Sequence, residues 1–169
     1  MAISSAHSTA FDAATGTPRW SWNGDGPAYG SALVFNLSGT PQVVNFTQKY
    51  FVGVSLDQGK LLWRRPFTTP STTTSQTPIL YKDMVIETGR GNGVTAFRAT
   101  PGANEWTTTN VWHTDDVSTH MSDAIVIENV LYGLSHLNSG EYFALDLDTG
   151  KVLWKSAPRQ ANHAAIAHA

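Results

Sequence analysis

A short phrase that ends in tryptophan recurs along this chain, and it constrains the fold more than any other feature. The phrase reads FDAATGTPRW, VSLDQGKLLW and LDLDTGKVLW, and its copies end at Trp20, Trp63 and Trp154. In each copy a glycine stands four residues before the tryptophan, at Gly16, Gly59 and Gly150. A phrase that returns at intervals of about 40–50 residues is typical of repeat architectures. We therefore predict a chain of stacked repeats.

A looser fourth copy, VTAFRATPGANEWTTTNVW, contains two tryptophans, Trp106 and Trp112. Trp106 keeps the 43-residue step that separates Trp20 from Trp63, whereas Trp112 stands 42 residues before Trp154. We favour Trp112, because the next apolar run begins twelve residues after it, as it does after Trp20. The additional residues 100–107 are then predicted to form a lengthened hairpin loop, which repeat proteins tolerate.

Each repeat contains four short apolar or β-branched runs bounded by Gly, Asn, Asp and Ser, which is the pattern of β-strands. No segment carries a long apolar stripe of helical period, so almost no helix is expected. Four-stranded units of this length, each with a tryptophan on its last strand, predict an all-β fold, namely a β-propeller of antiparallel blades. A β-sandwich is the alternative, but a sandwich does not require a repeated phrase.

The strand pattern predicts a single partial propeller over residues 1–169. The predicted parts are the last two strands of a blade at 8–22, full blades at 31–67, 77–114 and 123–156, and the first strand of a further blade at 161–169. Such a chain amounts to about half of a seven- or eight-bladed ring. We expect a piece of a longer ring; the alternative is a small ring in which 161–169 joins 8–22 in one composite blade.

Composition excludes several classes of function. The net charge is −2 without charged runs, which leaves no basic field for nucleic acid. No apolar stretch is long enough to span a membrane. Cysteine is absent, so the chain has neither a disulfide nor a thiolate metal site.

The third copy of the phrase carries a family resemblance. Residues 143–154 read FALDLDTGKVLW, and the first copy shares the Asp, Thr, Gly and Trp of this motif, with Asp12 standing where Asp146 stands here. The second copy has Ser55 at that position. The motif resembles the tryptophan-docking repeat of the pyrroloquinoline-quinone (PQQ)-like β-propellers, and the longer context is most similar to uncharacterised bacterial members. The resemblance is specific for fold and weak for activity.

The resemblance implies a non-catalytic scaffold or binding module for protein or peptide partners, in the periplasm or otherwise outside the bacterial cytoplasm. Self-association through open blade edges is also expected. The alternative is a degenerate quinoprotein, because the family includes PQQ-dependent alcohol dehydrogenases that hold calcium with Glu, Asn and Asp. No such ligand motif, and no cysteine pair, is found here. Catalysis is therefore not expected, and the only cofactor that family analogy suggests is PQQ with calcium.

Three local patterns admit a functional and a structural interpretation. Residues 146–150 resemble part of a calcium loop but lack its third acid and terminal Glu, so we expect a plain turn. The run GRGNG at 89–93 precedes a strand rather than a helix, so a hairpin turn is expected instead of a phosphate site. His113, Asp115, Asp116 and His120 suggest either a metal site or an exposed polar connector, and we favour the connector.

Polar residues precede the inner strand of every predicted blade. In a propeller these strands line the central channel, and ligands bind at its mouth. We therefore predict a channel-mouth binding surface, the alternative being that its residues merely solvate the channel. Its members are Ser31, Gln76, Thr77, Ser122, Asp123, Asn162 and His163.

Overall fold

Antiparallel β-sheets make up the protein in the computed structural model, which describes residues 7–70 and 74–168. A short 3₁₀ turn at Leu137–Ser139 interrupts the strands. The all-β fold class is thus confirmed. By internal contacts the chain divides into two units, Met1–Pro78 with Ala99–Thr109, and Ile79–Arg98 with Asn110–Ala169.

The first unit contains a two-stranded sheet and a four-stranded sheet. Strands β1 and β2 form a hairpin, and the four-stranded sheet has the order β3-β4-β5-β6, so that β6 is an edge strand. The strands are β1 His7–Phe11, β2 Pro18–Asn23, β3 Leu33–Leu37, β4 Thr40–Phe46, β5 Tyr50–Ser55 and β6 Leu61–Pro66.

The second unit holds most of two four-stranded sheets, of order β10-β9-β8-β7 and β11-β12-β13-β14. The tip of the β9–β10 hairpin is assigned to the first unit. The strands are β7 Ile79–Tyr81, β8 Met84–Thr88, β9 Val94–Pro101, β10 Trp106–Thr114, β11 Ile125–Ile127, β12 Val130–Ser135, β13 Glu141–Asp146 and β14 Val152–Lys155.

Each unit buries its own apolar cluster. In the first unit the rings of Phe46 and Phe51 stack with centroids 4.0 Å apart, and Trp63 meets Phe51 edge-on at 5.7 Å. In the second unit the inward-facing residues of neighbouring sheets pack together, with Leu131, Phe143 and others fully buried. Consecutive residues of the central strands β5 and β8 are buried, so both faces of these strands are covered.

The repeated phrase forms the same turn in each unit. The Asp12 carboxylate accepts bonds from the backbone N–H groups of Ala14 and Thr15, both at 3.0 Å. The Asp146 carboxylate accepts from the N–H and hydroxyl of Thr149. Gly16 and Gly150 follow with φ of +71° and +73°, a conformation that costs glycine little. Residues 146–150 thus form a plain turn, as predicted.

Two copies of the repeat place tryptophan against the next sheet in the same way. The Trp20 indole N–H donates to the carbonyl of Leu56 at 2.9 Å, and the Trp112 indole donates to Leu147 at 2.9 Å. Each acceptor lies three residues before the repeat glycine, against which the indole ring packs. Trp112, rather than Trp106, therefore makes the contact equivalent to that of Trp20.

In the other two copies the tryptophan makes different contacts. The Trp63 indole N–H donates to Gln42 Oε1 within its own sheet, at 2.7 Å. Gly53 permits this, because a Cβ there would lie 2.2 Å from Trp63 Nε1. Trp154 is 48% exposed and lies beside Tyr132 of its own sheet, with ring centroids 6.3 Å apart.

The lengthened hairpin loop predicted at residues 100–107 is wrong. Residues 100–101 extend β9 and residues 106–107 extend β10, and the connection between them is a short turn closed by a bond from Gly102 N–H to the Glu105 carbonyl, 2.8 Å. The reason is that β-branched residues favour extended structure, so the run of threonines continues the ladder.

Residues 161–168 form no strand in the described part of the chain, and Ala169 lies outside it. An inner strand is defined by its ladder to a second strand. The prediction of a further blade here stays a prediction.

Candidate binding sites

A groove of about 690 Å³ runs beside edge strand β6 in the first unit. One wall is formed by successive residues 60–64 of β6 and its approach, and the other by 101–106 of the β9–β10 hairpin tip. Because successive strand residues point to opposite faces, a wall that contains all of them follows the edge of the strand rather than one face. The edge of β6 is thus accessible from a cavity large enough for an extended peptide.

The open edge of β6 offers backbone hydrogen-bonding groups to this groove. Phe67 N–H donates to the Lys49 carbonyl at 2.8 Å, so these two residues form a hydrogen-bonded pair of the β5–β6 ladder. The pair of Arg64 with Val52 lies three ladder steps, an odd number, from that pair. Bonded and non-bonded pairs alternate in antiparallel sheets, so the N–H of Arg64 points away from β5. The Arg64 guanidinium lies 5.0 Å from the Tyr50 ring centroid.

A second cavity, of about 310 Å³, lies in the second unit and is lined by basic side chains. Its lining residues are Arg90, His120, His136, Ser139, Gly140, Ala161, Asn162 and His163, and we call it the His–Arg pocket. The His120 ring centroid lies 6.2 Å from that of His136 and 6.0 Å from that of His163. Nε2 of His136 is buried and has no hydrogen-bond partner among the described residues.

Local hydrogen bonds form the walls of the His–Arg pocket. The Ser122 hydroxyl accepts from Ala164 N–H at 3.0 Å, which holds the segment that carries Asn162 and His163. Gln160 N–H donates to the Gly140 carbonyl at 3.0 Å. A Cβ on Gly140 would lie 1.9 Å from the Ala161 carbonyl oxygen, so only glycine permits this close approach.

The pocket lowers the basicity of two imidazoles. Burial lowers the pKa of His120 below its ordinary value, and the charge of Arg90 lowers it further. Burial and then Arg90 also lower the pKa of His136. Both rings are therefore neutral at pH 7, and the Arg90 guanidinium is the positive charge of the pocket.

These shifts make a direct prediction for pH titration. We expect the imidazole protons of His120 and His136 in the NMR spectrum to titrate below pH 6.5, the ordinary value for histidine. A base whose pKa is depressed by folding binds fewer protons in the folded than in the unfolded state. Its linkage therefore removes stability as the pH falls through 6.5 toward the folded pKa.

The matching measurement is the melting temperature between pH 7.5 and pH 5. It should fall with pH, and the fall should be smaller when both histidines are changed to Gln. Titration of either ring above 6.5 would contradict the electrostatics of the pocket.

The structure places four of the predicted channel-mouth residues in the second unit. Asn162 and His163 line the His–Arg pocket, and Ser122 supports it, whereas Asp123 is exposed and is not part of its lining. The pocket therefore contains two of the predicted residues together with Arg90, His120 and His136, which no sequence pattern had placed there.

The other three predicted channel-mouth residues lie in the first unit. Ser31 is exposed and Thr77 is partly buried. Gln76 is buried, with its Nε2 unpartnered, and its carbonyl oxygen would lie 2.0 Å from a Cβ on Gly30. The proposed role of the channel-mouth residues in binding stays a prediction.

His113 lies near the end of β10, and Asp115 and Asp116 begin the β10–β11 connection, where they make polar contacts. His113 bonds Thr95 Oγ1 through Nδ1 at 2.8 Å and Asp115 through Nε2 at 3.1 Å. In residues 7–70 and 74–168 no group of three or more His, Asp or Glu side chains is placed to hold a metal ion. The 89–93 run is a hairpin turn between β8 and β9, as expected, with Asn92 N–H bonded to the Gly89 carbonyl.

The side chains that line the His–Arg pocket decide whether PQQ with calcium fits there. The family's calcium takes carboxylate and amide oxygens, but the His–Arg pocket is lined by imidazoles and a guanidinium, with Asn162 as the single amide. A guanidinium opposes a nearby divalent cation. The described residues therefore do not fit the calcium–quinone pair, and no quinone chemistry is derived for them.

A family model described as "Outer membrane protein assembly factor BamB" matches residues 4–167 of the chain. A search of curated proteins gives no significant match. Among helices of the described residues, none is long and apolar enough to cross a membrane.

Solved structures with the same fold include BamB from Moraxella catarrhalis, at 21% identity and a TM-score of 0.70. That match covers 94% of this chain and 49% of the other, so the chain spans about half the length of this relative. The computationally designed protein Ika8 matches at 11% identity and 0.68, over 98% of this chain and 48% of that one.

A quinohemoprotein alcohol dehydrogenase from Comamonas testosteroni matches at 15% identity and 0.60, over 93% of this chain and 33% of that one. Likeness at these identities shows the fold alone. Together with the antiparallel four-stranded sheets, the matches confirm the predicted partial β-propeller.

Proposed function

Because the chain belongs to the BamB-like family of PQQ-like β-propellers, we propose that it is a non-catalytic scaffold that binds an extended segment of a protein partner. BamB is described as an outer membrane protein assembly factor. By the same analogy we propose a location outside the bacterial cytoplasm. We also propose that the Trp20 and Trp112 contacts are the docking interactions of the family's repeat.

The observation that carries the binding proposal is the groove along the edge of β6. An edge strand presents unpaired N–H and C=O groups, which pair with an added strand. The groove follows that edge for five residues and has about 690 Å³ of space. Leu61, Leu62 and Trp106 contribute apolar surface to it, while Lys60 and Arg64 supply positive charge beside the single acid Glu105. The preferred occupant is therefore an extended peptide with alternating apolar residues and a net negative charge.

Panning a random peptide library on the purified chain tests this proposal. We expect selected peptides to bind saturably, to be acidic and to alternate apolar and polar residues, because the groove pairs backbone groups and accepts side chains on alternate positions. The dissociation constant of a labelled peptide is then measured by fluorescence anisotropy.

One substitution tests the role of the strand edge. Arg64→Pro removes the outward N–H without removing a bond to β5, and proline is tolerated on edge strands. It should raise the dissociation constant of the selected peptide about tenfold, because one backbone hydrogen bond to the peptide is lost. Arg64→Ala is the matched control, because it removes the same side chain and its contact with Tyr50 but keeps the N–H. Equal loss in the two variants, or failure to select any saturable peptide, would refute the groove.

The degenerate quinoprotein is the alternative function, and only the family analogy suggests it. A ligand that binds only the folded state must raise the melting temperature. We expect PQQ with calcium to leave the melting temperature unchanged, and an increase that saturates with PQQ concentration would instead support the alternative.

The edge strand β14 is exposed and offers a second surface, which we propose for self-association. Leu153 is 51% exposed and Trp154 is 48% exposed on this strand. A second copy of the chain that covers these side chains would appear as a dimer in light scattering coupled to size-exclusion chromatography. A monomer at all concentrations would leave the β6 groove as the protein-binding surface.

A further inference from the structure

The His–Arg pocket has the chemistry of an anion site, separate from the peptide groove. We propose that this pocket binds a small oxyanion, a carboxylate or a phosphate-like group, between Arg90 and the imidazoles of His120, His136 and His163. Nothing in the family likeness assigns a ligand to these four side chains.

The charge balance of the lining favours a negative ligand. Arg90 has neither an ion pair nor a side-chain hydrogen bond among the residues that the structure describes. None of the eight lining residues is acidic. A guanidinium presents paired N–H donors that match the two oxygens of a carboxylate or phosphate. Among the described residues, Arg90 is therefore an unpaired cation in a concave site whose lining contains no acid, and it has an unused capacity to bind an oxyanion.

His136 supplies a second, independent indication. Its Nε2 is buried with no partner in the part of the chain that the structure describes, and a buried polar atom left unpaired carries a desolvation cost. A neutral imidazole that is protonated on Nε2 is a donor, so an acceptor oxygen in the cavity would satisfy it. The Ser139 hydroxyl and the Asn162 amide provide further donors in the same lining.

A metal ion would use the same imidazoles, but the geometry favours the anion. No group of three or more His, Asp or Glu side chains is placed to hold a metal ion in the described ranges. A cation would also approach the unpaired charge of Arg90, which is unfavourable. The volume of about 310 Å³ suits a ligand of small-molecule size.

The site should tighten as the pH falls, because protonated imidazoles add positive charge. The titratable groups that line it are His120, His136 and His163, and Arg90 keeps a fixed charge. The nearby acid Glu141 accepts a bond from Asn138 Nδ2 at 3.1 Å and lies 3.9 Å from Lys155 Nζ, so its charge is already matched. An anion offsets the repulsion from Arg90 and raises the pKa values of His120 and His136, which couples binding to proton uptake.

Titration of the whole chain with sulfate at low ionic strength tests the proposal, since sulfate does not titrate between pH 6 and pH 7.5. We expect saturable shifts of the His120 and His136 imidazole signals in NMR spectra and tighter binding at pH 6. Acetate is titrated in parallel. Tighter binding of acetate assigns a carboxylate ligand, and tighter binding of sulfate assigns a phosphate-like one.

Arg90→Gln should weaken the preferred anion at least about tenfold, as expected for a lost charge-assisted bond. Arg98→Gln is the matched control, since it removes the same charge in the same unit from a pair with Asp83 and should leave affinity unchanged. Arg90 is exposed, so its substitution does not threaten the fold. Shifts that do not saturate, equal affinity of the two variants, or imidazole shifts with Zn²⁺ alone would overturn the anion site.

Discussion

Trp112→Ala should lower the free energy of unfolding by about 3 kcal/mol, at the lower end of the range for buried tryptophan because Trp112 is only partly buried. The ring packs against Gly150, and its indole N–H bonds the Leu147 carbonyl at 2.9 Å. The alanine variant loses this packing and leaves the carbonyl without its donor. For a chain of this length the melting temperature should fall by about 6–12 °C. Urea denaturation followed by far-ultraviolet circular dichroism measures the effect.

Trp154→Ala is the matched control, because Trp154 ends a nearly perfect copy of the same phrase in the same unit. Its side chain is half exposed, and a surface substitution costs about 0.5 kcal/mol. The difference in unfolding free energy between the two variants separates the contribution of the contact with the next sheet from the contribution of tryptophan as a residue type. Similar losses in the two variants would show that tryptophan stabilises its own strand and that the contact with the Gly150 turn contributes little.

The repeat phrase predicted the strands and the turn at 146–150 because both depend on local sequence. The glycine that stands four residues before the tryptophan forms the same left-handed corner in each of the three clear copies. The phrase did not predict that Trp63 bonds Gln42, since that choice depends on Gly53, a residue of the neighbouring strand in the same sheet. The tryptophan contact therefore depends on which neighbouring residues are small enough to leave space for the ring, and the sequence motif does not contain that information.

The His–Arg pocket was missed for a related reason. Its basic residues come from separate connections: Arg90 follows β8, His120 precedes β11, His136 follows β12 and His163 follows β14. No spacing along the chain distinguishes them from ordinary loop residues. The sheet topology nevertheless predicts which connections lie together. In an up-and-down sheet, the turn after the second strand lies at the same end of the sheet as the segment that leads into the first strand. Comparing polar residues at these two positions in each repeat would have brought Arg90 and His136 together with the predicted Asn162 and His163.

Gly59→Ala should destabilise the first unit by about 2–5 kcal/mol, and two separate costs contribute. Gly59 has φ of +70°, where a residue with a Cβ loses about 1–2 kcal/mol. The new Cβ would also lie 2.5 Å from Cε3 of Trp20, so the ring must shift and weaken its bond to Leu56. Overpacking of this kind costs about 1–3 kcal/mol. Denaturant unfolding of the variant measures the sum.

Gly16→Ala separates these two costs. Gly16 occupies the same position of the phrase with φ of +71°, yet a Cβ added there would meet nothing within 4 Å, so only the conformational cost of about 1–2 kcal/mol applies. A double-mutant cycle tests the contact with the ring directly. In a Trp20→Ala background, Gly59→Ala should lower the free energy of unfolding by no more than Gly16→Ala does, because the ring that the new Cβ meets is absent. If Gly59→Ala still costs more than Gly16→Ala in that background, the strain lies in the turn itself. Loss of the excess would show that glycine is required there because the indole of the preceding repeat occupies the space of a side chain.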